Sequence, residues 1–184
     1  MRRKWIRNRH SGCQVAVCLC MLVACLMMAC CVSARALNTS PAGCSLHAKG
    51  TKEQYQFPLG TTAWRISEEY GWREDPLTGK EAFHKGVDLA CDSGTIVLAG
   101  ADGIVAAARH SQSYGNYLRL SHAKGEETLY AHMQYLYVRT GEVVKAGEPI
   151  GTVGQTGRAT GAHLQLEWLC NGIRYDPAGI FDFL

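Results

Sequence analysis

From Phe57 onward the chain is a succession of short β-branched, aliphatic and aromatic runs, separated by glycine-containing turns. These runs have the length of strands and recur at regular spacing, and no long stretch shows helical periodicity. The runs are 95–99, 103–107, 117–122, 127–132, 149–153 and 163–168. The pattern predicts an all-β domain.

Two short segments depart from this pattern. Residues 62–70 are a modest candidate for a helix. Near the C-terminus, Asp176-Pro177 predicts a last short turn, with the aspartate as N-cap and the proline at the first helical position.

The first 36 residues differ from the rest of the chain. Residues 1–10 carry several basic side chains and no acidic one, and residues 11–33 carry no charge at all. Ala34-Arg35-Ala36 then has the small-any-small pattern of a cleavage site. This order predicts a secretory signal over residues 1–36, so we expect export to the periplasm or cell envelope.

Two alternatives for this segment stay open. Leu22-Val23-Ala24-Cys25 has the form of a lipoprotein box with Cys25 as the lipidated residue. Residues 12–33 also approach the roughly 20 residues that a membrane-spanning helix requires. Each alternative exports the C-terminal part, because Lys and Arg stay on the cytoplasmic side. We expect membrane contact only through this segment.

The exported part is predicted to consist of a polar linker, residues 37–56, and one domain, residues 57–184. The net charge of +3 owes much to the N-terminal cluster, so nucleic acid is not an expected partner. Cys44, Cys91 and Cys170 remain in the exported part, which allows one disulfide and one free thiol. Sequence alone does not choose the pair; Cys170 could pack against Cys91 or pair with it.

His84-Lys85-Gly86-Val87-Asp88 is the first segment that indicates chemistry. In a fully extended strand, His84 and Asp88 would lie roughly 13 Å apart, too far to share one ion. Gly86 allows the chain to bend between them, and imidazole nitrogen with carboxylate oxygen suits zinc. Further along, His163 and Gln165 are two residues apart and so share one face of a strand.

Several motifs in a fixed order strengthen this interpretation. They are Trp72 to Lys80, His84 to Asp88, Gly94 to Val97, Tyr130-Ala131-His132, Gly141 to Gly147, Gly154 to Gly157 and Thr160 to Glu167. In this order the chain resembles the lysostaphin/LytM family of zinc endopeptidases, which cut peptide cross-bridges and stems in bacterial peptidoglycan. The resemblance runs from about Phe57 to the C-terminus. It implies a compact antiparallel β-sheet core with a groove walled by long loops.

The resemblance also implies residue roles. His84 and Asp88 match the first two ligands of one zinc ion. His163 matches the general base, and His132 matches the histidine that orients water and stabilises the oxyanion. Gln165 stands where the family has its third zinc ligand, a histidine. An amide oxygen is a much poorer zinc ligand than imidazole.

These residues are compatible with two functions. The first is an exported zinc metalloendopeptidase that hydrolyses peptidoglycan peptides during cell-wall remodelling. The second is a degenerate, catalytically inactive LytM-like domain that binds the wall or regulates a cell-wall hydrolase as its partner. Gln165 is the residue that favours the second.

Overall fold

Residues 55–183, which the computed structural model describes, fold almost entirely as β-strands. Helical structure in this part of the chain is limited to two 3₁₀ turns, Ala123–Gly125 and Pro177–Gly179. The strands are β1 (Arg65–Glu68), β2 (Gly71–Glu74), β3 (Glu81–His84), β4 (Val87–Ala90), β5 (Ile96–Leu98), β6 (Gly103–Ser111), β7 (Gly115–Ser121), β8 (Glu126–Leu136), β9 (Val143–Val144), β10 (Pro149–Val153), β11 (His163–Cys170) and β12 (Ile173–Tyr175).

One large antiparallel sheet organises the domain. Its main path has the order β1-β4-β11-β8-β7-β6-β9, with β12 beside β11 and β10 joining β5 to β8. A separate two-stranded sheet, β2 with β3, forms a hairpin. The predicted all-β fold is confirmed, and the six runs identified in the sequence correspond to β5, β6, β7, β8, β10 and β11.

The core lies against the central strands of the large sheet. Alternate residues of β7 and β11 are fully buried, as the two-residue period of a strand requires; they include Leu118, Leu120, Leu164, Leu166 and Trp168. Burying an aliphatic or aromatic side chain of this size stabilises the fold by about 1.5–3 kcal/mol. The central strands β11 and β8 are therefore held firmly in place by the core, and so are the side chains at their ends.

The helix predicted for residues 62–70 is wrong. This segment instead contains β1, which pairs antiparallel with β4 so that Arg65 lies opposite Ala90. Three of the four β1 residues are exposed, so burial of their side chains contributes little to the stability of this strand. Hydrogen bonding to the edge of β4 satisfies the backbone, and this tertiary pairing outweighs a weak local preference.

The short turn predicted at Asp176-Pro177 is confirmed. The Asp176 carboxylate accepts a hydrogen bond from the Ala178 backbone N–H at 3.0 Å, which caps the turn Pro177–Gly179. Ile180 and Phe181 follow the turn and are buried in the core.

Gly86 joins the two sheets. It lies between β3, which belongs to the hairpin, and β4, which belongs to the large sheet. A Cβ atom at this position would lie 2.3 Å from the Leu166 carbonyl oxygen on β11. Only glycine allows the chain to pass β11 so closely, so the bend predicted at Gly86 is where the structure has it.

The predicted signal or anchor (1–36), the lipidation candidate Cys25, Cys44 and nearly all of the predicted linker (37–56) lie outside the described residues. Within residues 55–183 no helix has the length and apolar character needed to cross a membrane. Cys91 is a free thiol whereas Cys170 is disulfide-bonded, so these two cysteines are not paired with each other.

Candidate metal centre

A groove on the large sheet brings together all five residues that the sequence indicated. His84, Asp88, His132, His163 and Gln165 all line it. They come from three distant stretches of the chain, so their convergence is a property of the fold and not of sequence proximity.

Strand order explains this convergence. β4, β11 and β8 are neighbours, and Gln165 on β11 lies in register between Asp88 on β4 and Ala131 on β8. His132 follows Ala131, and His163 lies opposite Ala90 at the start of β11. Asp88, His163 and Gln165 thus share one face of adjacent strands. His132 would point the other way in a regular strand, because it follows Ala131, but its φ of 62° breaks the alternation and its side chain lines the groove.

His84 and Asp88 meet directly. Nε2 of His84 lies 3.1 Å from Oδ1 of Asp88, and both side chains are buried. Nδ1 of His84 contacts the Glu69 carbonyl oxygen at 2.8 Å. Because a carbonyl oxygen only accepts, Nδ1 carries a hydrogen, and in the neutral ring Nε2 presents a lone pair towards the carboxylate.

The other two histidines are held in the same way. Nδ1 of His132 donates to the Thr156 carbonyl at 2.8 Å, and Nδ1 of His163 donates to the Gly161 carbonyl at 2.9 Å. Their rings are in contact, with centroids 4.6 Å apart and planes tilted by 46°. Each Nε2 therefore faces the groove with a free lone pair, His163 at 3.8 Å from Asp88 Oδ2.

His132 holds its place at the cost of backbone strain. Its φ is 62°, in the left-handed region that a non-glycine residue rarely adopts. Its backbone N–H donates to the Tyr114 carbonyl at 2.8 Å. Such strain costs on the order of 1–3 kcal/mol and is concentrated at functional sites. No sequence pattern indicated this backbone strain.

The pKa values of two histidines move in opposite directions. Burial disfavours the charged form of His84, but the hydrogen bond and charge of Asp88 outweigh it and raise its pKa. Burial lowers the pKa of His132, and the neighbouring His163 adds to the effect. His132 is thus kept neutral, whereas His84 and Asp88 attract a cation between them.

Gln165 completes the floor of the groove. Its Oε1 lies 3.2 Å from His132 Nε2, and its Nε2 donates to Glu167 Oε1 at 2.9 Å. Sequence reasoning did not assign a role to Glu167, nor to Tyr114 and Arg174, which also bind it. The sequence could have pointed to Glu167, because residues 163, 165 and 167 lie two apart and so face the same side of one strand.

An ion pair connects the two walls of the groove. One wall is the β2–β3 hairpin and the other contains Arg158. Nη2 of Arg158 contacts both carboxylate oxygens of Asp75, in the hairpin turn, at 2.7 and 2.9 Å. Burial opposes ionisation of Asp75, but hydrogen bonds from Arg158, Leu77 and Thr78 lower its pKa to about 2.

The chemistry of these donors fits a bound cation. His84 Nε2 and Asp88 Oδ1 are both buried without a hydrogen-bond partner, and while the His84 ring is neutral neither atom can donate to the other. Within residues 55–183, however, no three His, Cys, Asp or Glu side chains form a ready metal-binding group. The further donor nearby is the amide oxygen of Gln165, which is of none of these types.

Comparison with known proteins identifies the family. Residues 82–177, about half of the chain, match Peptidase family M23. The chain belongs to this family. The resemblance to lysostaphin and LytM is thereby confirmed, and the M23 segment includes all five groove-floor residues.

Two curated relatives illustrate the match. Peptidoglycan DD-endopeptidase ShyC of Vibrio cholerae is 42% identical over 114 residues, covering 61% of this chain and 26% of the relative. DD-carboxypeptidase/endopeptidase Mpg of Neisseria meningitidis is 41% identical over 116 residues, covering 63% and 27%. The matched part of this M23 chain thus spans about a quarter of these relatives' length.

Two solved structures share the fold. A zinc-containing peptidase from Vibrio cholerae has a TM-score of 0.64 at 31% identity, covering 72% of this chain and 41% of that one. The catalytic domain of the antimicrobial peptidase lysostaphin from Staphylococcus simulans has a TM-score of 0.58 at 30% identity, covering 62% and 90%. The M23 domain here therefore has the lysostaphin-like sheet and groove.

Proposed function

We propose that this M23 chain is an exported endopeptidase that hydrolyses peptidoglycan peptides, using zinc bound by His84, Asp88 and Gln165. Membership of the M23 family supports it, as do relatives named as peptidoglycan endopeptidases. The basic and apolar N-terminal segment supports export.

One observation carries the proposal. Nε2 of His84 and of His163 face the Asp88 carboxylate, and Nε2 of His132 faces the Gln165 amide oxygen. Because each Nδ1 already donates to a backbone carbonyl, these Nε2 atoms carry no hydrogen in the neutral rings. Acceptors this close repel one another unless a cation lies between them. The pKa of His84 is raised for the same reason, because a proton on Nε2 also places a positive charge beside the Asp88 carboxylate.

Zinc bound here would act as a Lewis acid and favour ionisation of water near neutral pH. His84 and Asp88 are strong donors for it. In the lysostaphin/LytM pattern the third donor is a histidine, so Gln165 is a departure that weakens binding. Even the loss of a residue that only supports a ligand costs about 10–100-fold in affinity.

The remaining steps belong to the side chains of the groove. His163, with Nδ1 committed to Gly161, offers Nε2 as the base for the attacking water. His132 is neutral at first, because burial lowers its pKa and Thr156 holds its Nδ1. It can stabilise a developing oxyanion only as an imidazolium, after Nε2 has taken up a proton from solvent in the groove.

A second function is favoured by one residue. A neutral, weakly basic amide at position 165 suits a LytM-like domain that binds the wall, or a cell-wall hydrolase, without cutting. The same groove would then serve as a binding surface for peptide.

Metal content and wall digestion separate the two functions. The purified protein and its variants His84→Ala and Gln165→His are assayed for bound zinc and for release of soluble fragments from purified sacculi. His110→Ala is the matched control, because His110 is exposed and lies outside the groove.

For a peptidase, the native protein and His110→Ala hold one zinc and release fragments, whereas His84→Ala loses both. We expect Gln165→His to bind zinc at least about 10-fold more tightly. If only Gln165→His binds zinc and digests sacculi, the native domain is the non-cutting type.

A further inference from the structure

Glu167 is a fully buried carboxylate beneath the groove. Arg174 Nε donates to its Oε2 at 2.7 Å, and the Tyr114 hydroxyl donates to its Oε1 at 2.7 Å. The third donor is the side-chain amide of Gln165, at 2.9 Å from Oε1. A buried acid is retained only when it is paired in this way, so its position is firmly fixed.

This carboxylate determines which way the Gln165 amide faces. An ionised carboxylate only accepts hydrogen bonds, so the end of the amide turned towards Glu167 must be the NH₂ group. The amide oxygen then points the other way, into the groove, where it lies 3.2 Å from His132 Nε2. A flipped amide would set its oxygen against a buried carboxylate and leave two acceptors facing each other.

We propose that Glu167 is a positioning residue that, held by Arg174 and Tyr114, turns the Gln165 oxygen into the groove as a donor for a divalent cation. The proposal rests on the proposed function, because it concerns the cation of the same site. A weak neutral donor is more effective when it is held in place before the ion arrives.

The amide orientation depends on the charge of residue 167 and not on its shape. Glu167→Gln keeps the size of the side chain but can donate as well as accept, so it no longer excludes the flipped amide. Glu127→Gln is the matched control, because Glu127 lies on the adjacent strand β8 and pairs with Arg119 at 3.6 Å, away from Gln165.

The test measures zinc affinity of the full chain by competition with a chromophoric chelator. We expect Glu167→Gln to weaken binding by about 10–100-fold and Glu127→Gln to leave it unchanged. In a Gln165→Ala background, Glu167→Gln should change affinity by no more than about twofold, since its effect passes through the amide. An equal loss in both backgrounds, or none in the native one, overturns the proposal.

Two further measurements guard against a folding artefact. If Glu167→Gln does not fold because Arg174 loses its partner, Glu167→Gln/Arg174→Gln removes both charges and should show the same loss of affinity. If this double variant binds zinc as tightly as the native chain does, the proposal is overturned. In ¹⁵N-labelled protein, the Gln165 side-chain amide hydrogens should resist exchange in the native chain and exchange faster in Glu167→Gln.

Digestion of sacculi by the native chain is scored separately. A chain that binds zinc in a Glu167-dependent manner but releases no fragments overturns the peptidase function and supports the role of Glu167. A chain that digests sacculi, with zinc affinity unaffected by Glu167→Gln, supports the peptidase function and overturns the role of Glu167. A native chain that binds no zinc overturns the assignment of Gln165 as a donor.

Discussion

At the scale of single residues, Gly86 shows what sequence reasoning could reach. A glycine between His84 and Asp88 indicated a bend, because an extended strand would keep these side chains roughly 13 Å apart. The structure brings their reactive atoms to 3.1 Å. The close passage of Gly86 against the Leu166 carbonyl was beyond prediction, since it depends on a strand about 80 residues further along the chain.

Gly86→Ala should destabilise the domain by about 1–3 kcal/mol, because its Cβ would lie 2.3 Å from a backbone oxygen that has little room to move. Denaturant unfolding measures the change. Gly161→Ala is the control, since a Cβ there meets nothing within 4 Å. Equal stability of the two variants would contradict the close approach.

His122 should make stability depend on pH. Burial lowers its pKa, although Asp102, Glu126 and Glu127 favour the charged form. The unfolded chain therefore binds a proton more readily, and stability is lost as the pH falls through the unfolded value of about 6.5. His122 accordingly contributes more at pH 8 than at pH 5.

Thermal unfolding of the native chain and His122→Gln at both pH values measures this contribution. The difference between the two midpoints should be larger at pH 8. His110→Gln, which alters an exposed histidine, is the control. A difference that is larger at pH 5 would show that the sign is wrong.

At the scale of strands and turns, the local sequence pattern predicted the strands whose buried and exposed residues alternate. It did not predict strands that form only by pairing with a distant segment. β10 and the start of β11 lie where the sequence predicted them, because apolar residues and turn glycines mark them. Residues 62–70 were misassigned, since β1 forms only by pairing with β4. The β2–β3 hairpin was not predicted, and neither was the Asp75–Arg158 ion pair that connects it to the opposite wall.

Asp75→Asn should loosen this hairpin without unfolding the domain. It removes the charge that Arg158 contacts at 2.7 Å; the Arg158 side chain is 48% exposed, and ion pairs that solvent screens contribute little to global stability. Hydrogen exchange of residues 74–81 should become faster, with the thermal midpoint little changed. Asp102→Asn, which breaks the exposed pair with Lys145, should leave exchange in the hairpin unaffected.

At the scale of the whole molecule, the sequence identified the five residues that line the groove floor but not the network that holds them. The motifs contain the residues whose functional groups suit metal binding and proton transfer. The role of Glu167, Tyr114 and Arg174 comes from their contacts with one another, which only the folded structure shows. The strained backbone of His132 is likewise visible only in three dimensions.

If zinc binds the folded groove, it should stabilise the entire domain, because the unfolded chain does not hold the ligands together. Zinc at one hundred times its dissociation constant should add about 2.7 kcal/mol to the free energy of unfolding. Thermal unfolding with zinc, and again after chelation, measures the effect. His84→Ala should abolish the shift and His110→Ala should retain it; a shift that survives in His84→Ala places the ion elsewhere.

The Nδ1 atoms of all three groove histidines are bound by main-chain carbonyls, those of Glu69, Thr156 and Gly161. A main-chain oxygen is present whichever amino acid occupies the position. Evolution can therefore replace the side chains around these imidazoles while each ring keeps Nε2 turned towards the groove.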